Sequence, residues 1–324
     1  MARTLVTGGA GYIGMPLVGE LLDAGRDVTV LDNLLHGQFE VAAALRRRGV
    51  DVIVGDVRDR AARELALRDA EAVVHLAAIV GDPACARDPE LSRDVNVGGS
   101  IALAADASAH GVERFVMAST CSNYGRMADP TVPVDETGVL APVSLYAEQK
   151  VAVEQHLLGL DPARFALTCL RFATVYGIAL RMRFDLTVNE FTRDLWAGRR
   201  LEVFGEQFWR PYVHVRDVAR AVRAVLEAPE ALVAGHVFNV GASHENYRKL
   251  DLVREIRRQT GCGDVVYVRR DEDPRDYKVS FEKIRTALGY EPALTVPGGI
   301  AEILIALDAG SFPDAFAARY RNVA

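Results

Sequence analysis

The chain is short of cysteine, of long apolar runs and of surplus positive charge, and each shortage excludes a class of protein. Its four cysteines, Cys85, Cys121, Cys169 and Cys262, lie far apart with no C-x-x-C pair. Neither a zinc site nor a disulfide framework is therefore expected, no metal is called for, and a reducing cytoplasm suits this usage. No apolar run approaches the roughly 18 residues needed to span a bilayer. The first strand-like stretch, R-T-L-V-T from Arg3 to Thr7, begins so close to the initiator Met that no room is expected for a signal peptide. With 38 Lys and Arg against 44 Asp and Glu, a net charge of −6, the chain offers no basic surface for a nucleic acid and no polybasic anchor for a membrane. Internal repeats, low-complexity tracts and flexible linkers are also missing. What remains is a chain of 324 residues, half of them apolar, able to bury a large core as one large domain or two closely joined ones.

Short apolar runs alternate with helix-length amphipathic stretches: T-L-V-T, D-V-T-V-L-D, D-V-I-V-G-D, A-V-V-H-L-A, R-F-V-M-A-S and A-L-T-C-L-R. This rhythm predicts an α/β fold, a doubly wound parallel sheet with helices on both faces. It holds closely over residues 1–175 and then loosens. Arg181 to Gly198 reads as loop then helix, Leu201 to Phe204 as a strand, Val215 to Glu227 as a helix and Val237 to Val240 as a buried strand. Residues 176–324 are thus expected to form a smaller substrate-binding part, interleaved with the sheet by a return near 205–240.

T-G-G-A-G-Y-I-G, Thr7 to Gly14, follows the first strand and opens a helix to about Ala24. Gly8, Gly11 and Gly14 allow a tight turn, a close approach of backbone to a pyrophosphate and close helix-to-strand packing, and the helix start supplies unpaired N–H groups. Tyr12 and Ile13 lie within this turn. Asp32 ends the second strand at the distance expected of an acid that binds the adenosine ribose diol, with Asn33 beside it. Its charge repels a 2′-phosphate and no Arg immediately follows in D-N-L-L-H, so NAD is favoured over NADP. Asp56 and Val57 are placed to cover the adenine, with a helix N-cap as the alternative for Asp56. In V-V-H-L-A-A, His75 reads as a satisfied core residue, while Leu76, Ala77 and Ala78 let the dinucleotide come close. The Rossmann reading rests on this context, since a glycine triplet alone is weak.

S-L-Y-A-E-Q-K puts Tyr146 and Lys150 four apart on one face of a predicted helix, downstream of the loop S-T-C-S-N-Y-G, Ser119 to Gly125. At ordinary pKa near ~10 a tyrosine is a poor base at neutral pH. Bringing it to about 7 takes roughly 4 kcal/mol, which Lys150 and a positive nicotinamide can supply together. The glycine turn, L-D-N, H-L-A-A, V-N-V-G-G, this loop, Y-A-E-Q-K, L-R-F-A-T-V-Y-G and R-P-Y-V-H-V-R-D, in this order, resemble the extended short-chain dehydrogenase/reductase family, specifically its nucleotide-sugar epimerases and dehydratases. The resemblance implies Tyr146 as base, Lys150 as its partner and Thr120, four residues before the loop tyrosine, as the hydrogen bond to the reacting oxygen. Ser119 then secures the loop beside the cofactor. Asn96 supports the cofactor-side helix, and Phe172 and Thr174 line the nicotinamide and sugar region, although many family members carry Asn where Thr174 stands.

Family 4,6-dehydratases usually place carboxylates in the loop positions held here by Cys121 and Ser122. Eliminating water needs an acid and a base beyond the tyrosine, so the loop points to a nucleotide-sugar 4-epimerase. A keto-sugar reductase is the alternative; a dehydratase and a non-catalytic NAD-binding scaffold stand further off. Cys121 is either a proton shuttle or a small packed thiol. The resemblance places Arg210 on the substrate diphosphate, with Arg270, or Arg275 nearby, as a second contact, since guanidinium forks suit phosphate. R-M-R-F-D, Arg181 to Asp185, is unusually basic beside a predicted cleft loop and is expected to orient an acidic sugar or the phosphates, with Arg181 as its site residue, and Asn189 to meet substrate or to pack its helix. The helices Val95 to Ala109 and Leu145 to Leu158 resemble the family's dimer-forming pair, implying a homodimer.

Overall fold

The computed structural model describes residues 2–160, 165–261, 263–268 and 275–322. Strands β1 (Arg3–Thr7), β2 (Asp27–Asp32), β3 (Asp51–Val54), β4 (Ala72–His75), β5 (Arg114–Thr120) and β6 (Ala166–Phe172) alternate with helices. Together with β10 (His236–Val240) they form a seven-stranded sheet in the order β10-β6-β5-β4-β1-β2-β3. Every neighbouring pair in it is parallel. Strand β6 is buried throughout, as expected of a strand covered on both faces. The order reverses between β1 and β4, and the crevice beyond their carboxyl ends is where a doubly wound sheet binds its ligand. The protein has the α/β Rossmann-like fold that its alternating pattern predicts.

The remaining strands sit apart from the large sheet. Strand β7 (Thr174–Tyr176) pairs with β9 (Trp209–His214), which pairs antiparallel with β11 (Asn246–Arg248); β8 (Leu201–Phe204) pairs with β12 (Val265–Val268). A second apolar core, built on Phe184, Phe191, Leu195, Val203, Leu252 and Ile300, lies among these elements. The two parts are tied firmly. The helix Val215–Glu227 buries Val218, Val222 and Val225 and packs on the helix Gly14–Asp23, where Arg223 Nη1 donates to Glu20 at 2.9 Å. Among the described residues, no helix is long and apolar enough to cross a membrane.

The buried carboxylate of Asp217, in the first turn of that helix, holds the chain that follows the helix Glu282–Leu288. It accepts the N–H of Ala293 at 3.0 Å and of Leu294 at 2.9 Å, and Arg220 Nη1 at 2.6 Å. Removing it strands two backbone donors. Asp217→Ala is expected to lower stability by about 3 kcal/mol, read by denaturant unfolding; an unchanged midpoint would contradict this anchoring role.

Candidate active site

The glycine turn shapes the main cleft. Gly8 has φ +72°, and a Cβ there would lie 2.8 Å from the backbone N of Ala77, so the turn and the end of β4 approach closer than any side chain permits. Gly11 N–H donates to the Gly8 carbonyl at 3.0 Å and closes the turn. The helix Gly14–Asp23 that follows has no side-chain cap and no acidic residue in its first turn; Met15 N–H donates to the Gly11 carbonyl at 3.2 Å and Pro16 carries none, which leaves the Gly14 N–H for an anion. Asp32 accepts the N–H of Ala10 at 3.0 Å and of Leu34 at 2.9 Å, which locks the acid to the turn it serves. Burial raises its pKa against these bonds.

Every residue read from the sequence as cofactor-facing lines this cleft except Asn96. Asn96 is fully buried and acts one step removed. Its Oδ1 accepts the N–H of Ile79 at 2.8 Å and its Nδ2 donates to the Ile79 carbonyl at 3.0 Å and to Gln149 Oε1 at 2.8 Å. It therefore fixes the cleft-lining segment after Ala78 rather than facing the cleft. Asp56 is not a helix cap: Asp59 caps the helix Arg60–Ala66, while Asp56 binds the Arg58 guanidinium at 2.9 Å, which draws its pKa to about 2. Arg183, in the basic R-M-R-F-D segment, also lines the cleft, as do Arg58, His36 and Asn322, which were missed. His75 is enclosed, bonded to Thr7 Oγ1 at 2.7 Å and Ser100 Oγ at 2.8 Å, and burial lowers its pKa to about 3, so it stays neutral.

At the other end of the cleft, the helix Leu145–Leu158 meets the end of β5. Ser144 caps this helix by accepting the N–H of Ala147. Lys150 is almost wholly buried; its ammonium donates to the Ala118 carbonyl at 2.9 Å and lies 5.9 Å from the Tyr146 ring centre. Burial lowers the Lys150 pKa to about 8. It also pushes the Tyr146 phenol above its ordinary value; the Cys85 thiol and Asp82 act in the same direction and Arg183 opposes them. Thr120 ends β5 opposite Phe172 of β6, partly exposed, its Oγ1 accepting the N–H of Ser122 at 3.1 Å.

The loop is held from beneath. Ser119 Oγ donates to Glu154 Oε2 at 2.7 Å, and Glu154, almost wholly buried, forms an ion pair with Arg171 of β6. Arg171 Nη1 donates to Tyr124 OH at 2.9 Å, which donates to Asn239 of β10 at 2.8 Å. Cys121 sits within this layer, 1% exposed, its thiol donating to the Arg171 carbonyl at 3.2 Å and held protonated by burial. It packs among buried residues and does not line the cleft.

Of the residues expected to meet substrate, Arg181 lines this cleft and Thr120, Thr174, Asn189, Arg210 and Arg275 do not. Asn189 is fully buried and its amide is used up: Oδ1 accepts the Gly177 N–H at 3.0 Å, while Nδ2 donates to Tyr12 OH at 3.1 Å and the Arg183 carbonyl at 2.9 Å. It packs its helix against the glycine turn and has nothing left for a substrate. Arg181 lines the cleft described above, within electrostatic reach of Asp32. Arg210, on β9, lies over the Tyr277 ring at 5.3 Å and donates to the Trp209 carbonyl. Arg275 pairs with Asp82 at 3.3 Å, and Thr174 starts β7 opposite Tyr212. Arg270 lies outside the described residues.

Residues 4–241 match the NAD dependent epimerase/dehydratase family, and the chain belongs to it. It is an enzyme of that family, and the cofactor in the family's name, NAD, fits the cradle just described. The chain is 32% identical over 307 residues to a UDP-glucose 4-epimerase of Lacticaseibacillus casei, covering 89% of this chain and 91% of that one. It is 31% identical over 319 residues to a dTDP-glucose 4,6-dehydratase of Streptomyces niveus, covering 93% and 91%. Its structure superposes on that of a Thermotoga maritima UDP-glucose 4-epimerase with UDP-glucose at a TM-score of 0.86 and 28% identity, covering 95% of this chain and 99% of that one. These likenesses support a nucleotide-sugar epimerase.

A lysine with a folded pKa of about 8 and an unfolded one near ~10.4 binds its proton in the unfolded chain but not the folded one between those values. Stability from this site therefore rises with pH across that window, and the buried charge costs most below about 8. Without NAD, Lys150→Met is expected to raise the melting temperature relative to the parent most below pH 8, the advantage shrinking toward pH 10. A pH-independent difference would contradict the lowered pKa.

Proposed function

We propose that the protein is an NAD-dependent nucleotide-sugar 4-epimerase acting on a UDP-linked hexose, with Tyr146 as its base. The observation that carries this reading is the meeting of Tyr146, Lys150 and the end of β5 in one cleft, beside a loop without carboxylates. NAD, when bound, supplies the hydride acceptor and later the donor at C4.

Tyr146 takes the proton of the C4 hydroxyl and returns it from the same atom. Burial, with Cys85 and Asp82, holds its phenol neutral against Arg183, so the further positive charge that favours its ionisation would come from Lys150 and from the oxidised nicotinamide. Lys150, tied to the Ala118 carbonyl, cannot swing away and keeps its charge beside the phenol ring. Thr120 donates its hydroxyl hydrogen to the oxygen that becomes a carbonyl, because its own acceptor side is occupied by the Ser122 N–H. Dehydration would need a second acid and base where Cys121 and Ser122 stand. The thiol is buried and protonated and serine does not titrate near neutrality, so the loop favours epimerisation over the dehydratase reading. The exposed sides of the helices Ser100–Ala109 and Leu145–Leu158, which pack side by side, complete the reading as the surface of a homodimer.

Purified protein incubated with UDP-glucose and, separately, dTDP-glucose is expected to yield the C4 epimer without added reductant. Product formed only with stoichiometric consumption of NADH would overturn the epimerase reading in favour of a reductase. Tyr146→Phe is expected to keep its NAD while turnover falls by about 10²- to 10⁴-fold; undiminished turnover would remove Tyr146 from the mechanism.

A further inference from the structure

Arg181 and Arg183 line the same cleft as Asp32, His36 and Tyr146. Arg181 acts electrostatically on Asp32 and on His36, and Arg183 on His36 and on Tyr146. The charge of Arg183 is answered by Asp185, with Nη2 to Oδ2 at 2.8 Å. That of Arg181 is not. It is 6% exposed, and among the described residues no carboxylate lies within ion-pair distance of it; its Nη2 donates to the Arg321 carbonyl at 3.3 Å and its Nε has no partner. Asp185 and Asp32 act on it through space without forming an ion pair with it. Burial and the neighbouring Arg183 lower the Arg181 pKa to about 10, the mark of a cation short of a counter-charge.

The chain's own C-terminal segment keeps the guanidinium in place. Asn322 N–H donates to Asp185 Oδ2 at 3.0 Å and its Nδ2 to the Val80 carbonyl at 3.3 Å, while Phe184 N–H donates to the Tyr320 carbonyl at 2.8 Å. Asn322 itself lines the cleft, and its Oδ1 is buried with no partner among the described residues. A buried fork with open N–H donors, facing a cleft whose other wall is an uncapped helix start, suits a diphosphate. We propose that Arg181, fixed by Arg321 and Asn322, binds the diphosphate of the dinucleotide and closes it against the glycine turn. The proposal rests on the family's cofactor alone, so the sugar assay can fail without touching it.

Calorimetric titration of the full-length chain, stripped of NAD, with NAD, ADP, adenosine and UDP tests it. In Arg181→Gln, NAD and ADP are expected to bind at least tenfold more weakly, with adenosine and UDP unchanged. Unchanged NAD and ADP affinity overturns the proposal, as does a loss confined to UDP or an equal loss for adenosine. If the glutamine variant does not fold, Arg181→Lys takes its place: an ammonium in place of the fork is expected to lose several-fold for ADP, and undiminished affinity overturns the assignment.

Discussion

The buried pair of Glu154 and Arg171 holds the reacting groups of this protein in one frame. Tyr146, Lys150 and Glu154 recur at intervals of four along one helix face. The phenol thus reaches the cleft, the ammonium reaches the end of β5, and the carboxylate reaches the strand beneath. From Arg171 the same network continues through Tyr124 to Asn239 on the edge strand, and from Glu154 through Ser119 into the loop that ends in Thr120's turn. Two charges taken out of water gain little as a pair, but breaking one leaves the other stranded at a cost of about 3–5 kcal/mol. The pair therefore resists any slip of the helix relative to the loop, and such a slip is the motion that would separate Tyr146 from Thr120.

This arrangement also bears on which reaction the site performs. The cysteine that might have added a second proton donor is drawn into the supporting layer, against the Arg171 carbonyl. The loop thereby gives up a titrating group to packing, and the proposed mechanism assigns the proton to one phenol. A single proton-transferring atom suits a reaction in which hydride leaves and returns at one carbon, and poorly suits an elimination across two.

Much of the cofactor end was legible in the sequence because its chemistry is local. Gly8, Gly11 and Gly14 work through a turn that contains them all, Asp32 through the end of its own strand, and Tyr146 with Lys150 through a four-residue spacing. Residues whose meaning depends on a distant partner were legible only in outline. Asn96 supports the cleft through Ile79, Asn189 spends its amide on Tyr12 and Gly177, and Arg181 lines the cleft, where its guanidinium meets the Arg321 carbonyl. Nothing near Arg181 in the sequence announces that meeting. Glu154 was visible, one helical step beyond Lys150, but its role required Arg171 on a neighbouring strand.

The claim that this pair forms one energetic unit is open to a direct measurement: a double-mutant cycle with Glu154→Gln and Arg171→Met, read by equilibrium unfolding of the full-length chain. The account predicts that each single change destabilises strongly and that the double change costs well under their sum, with a coupling of about 2–3 kcal/mol. Additivity to within about 0.5 kcal/mol would contradict it.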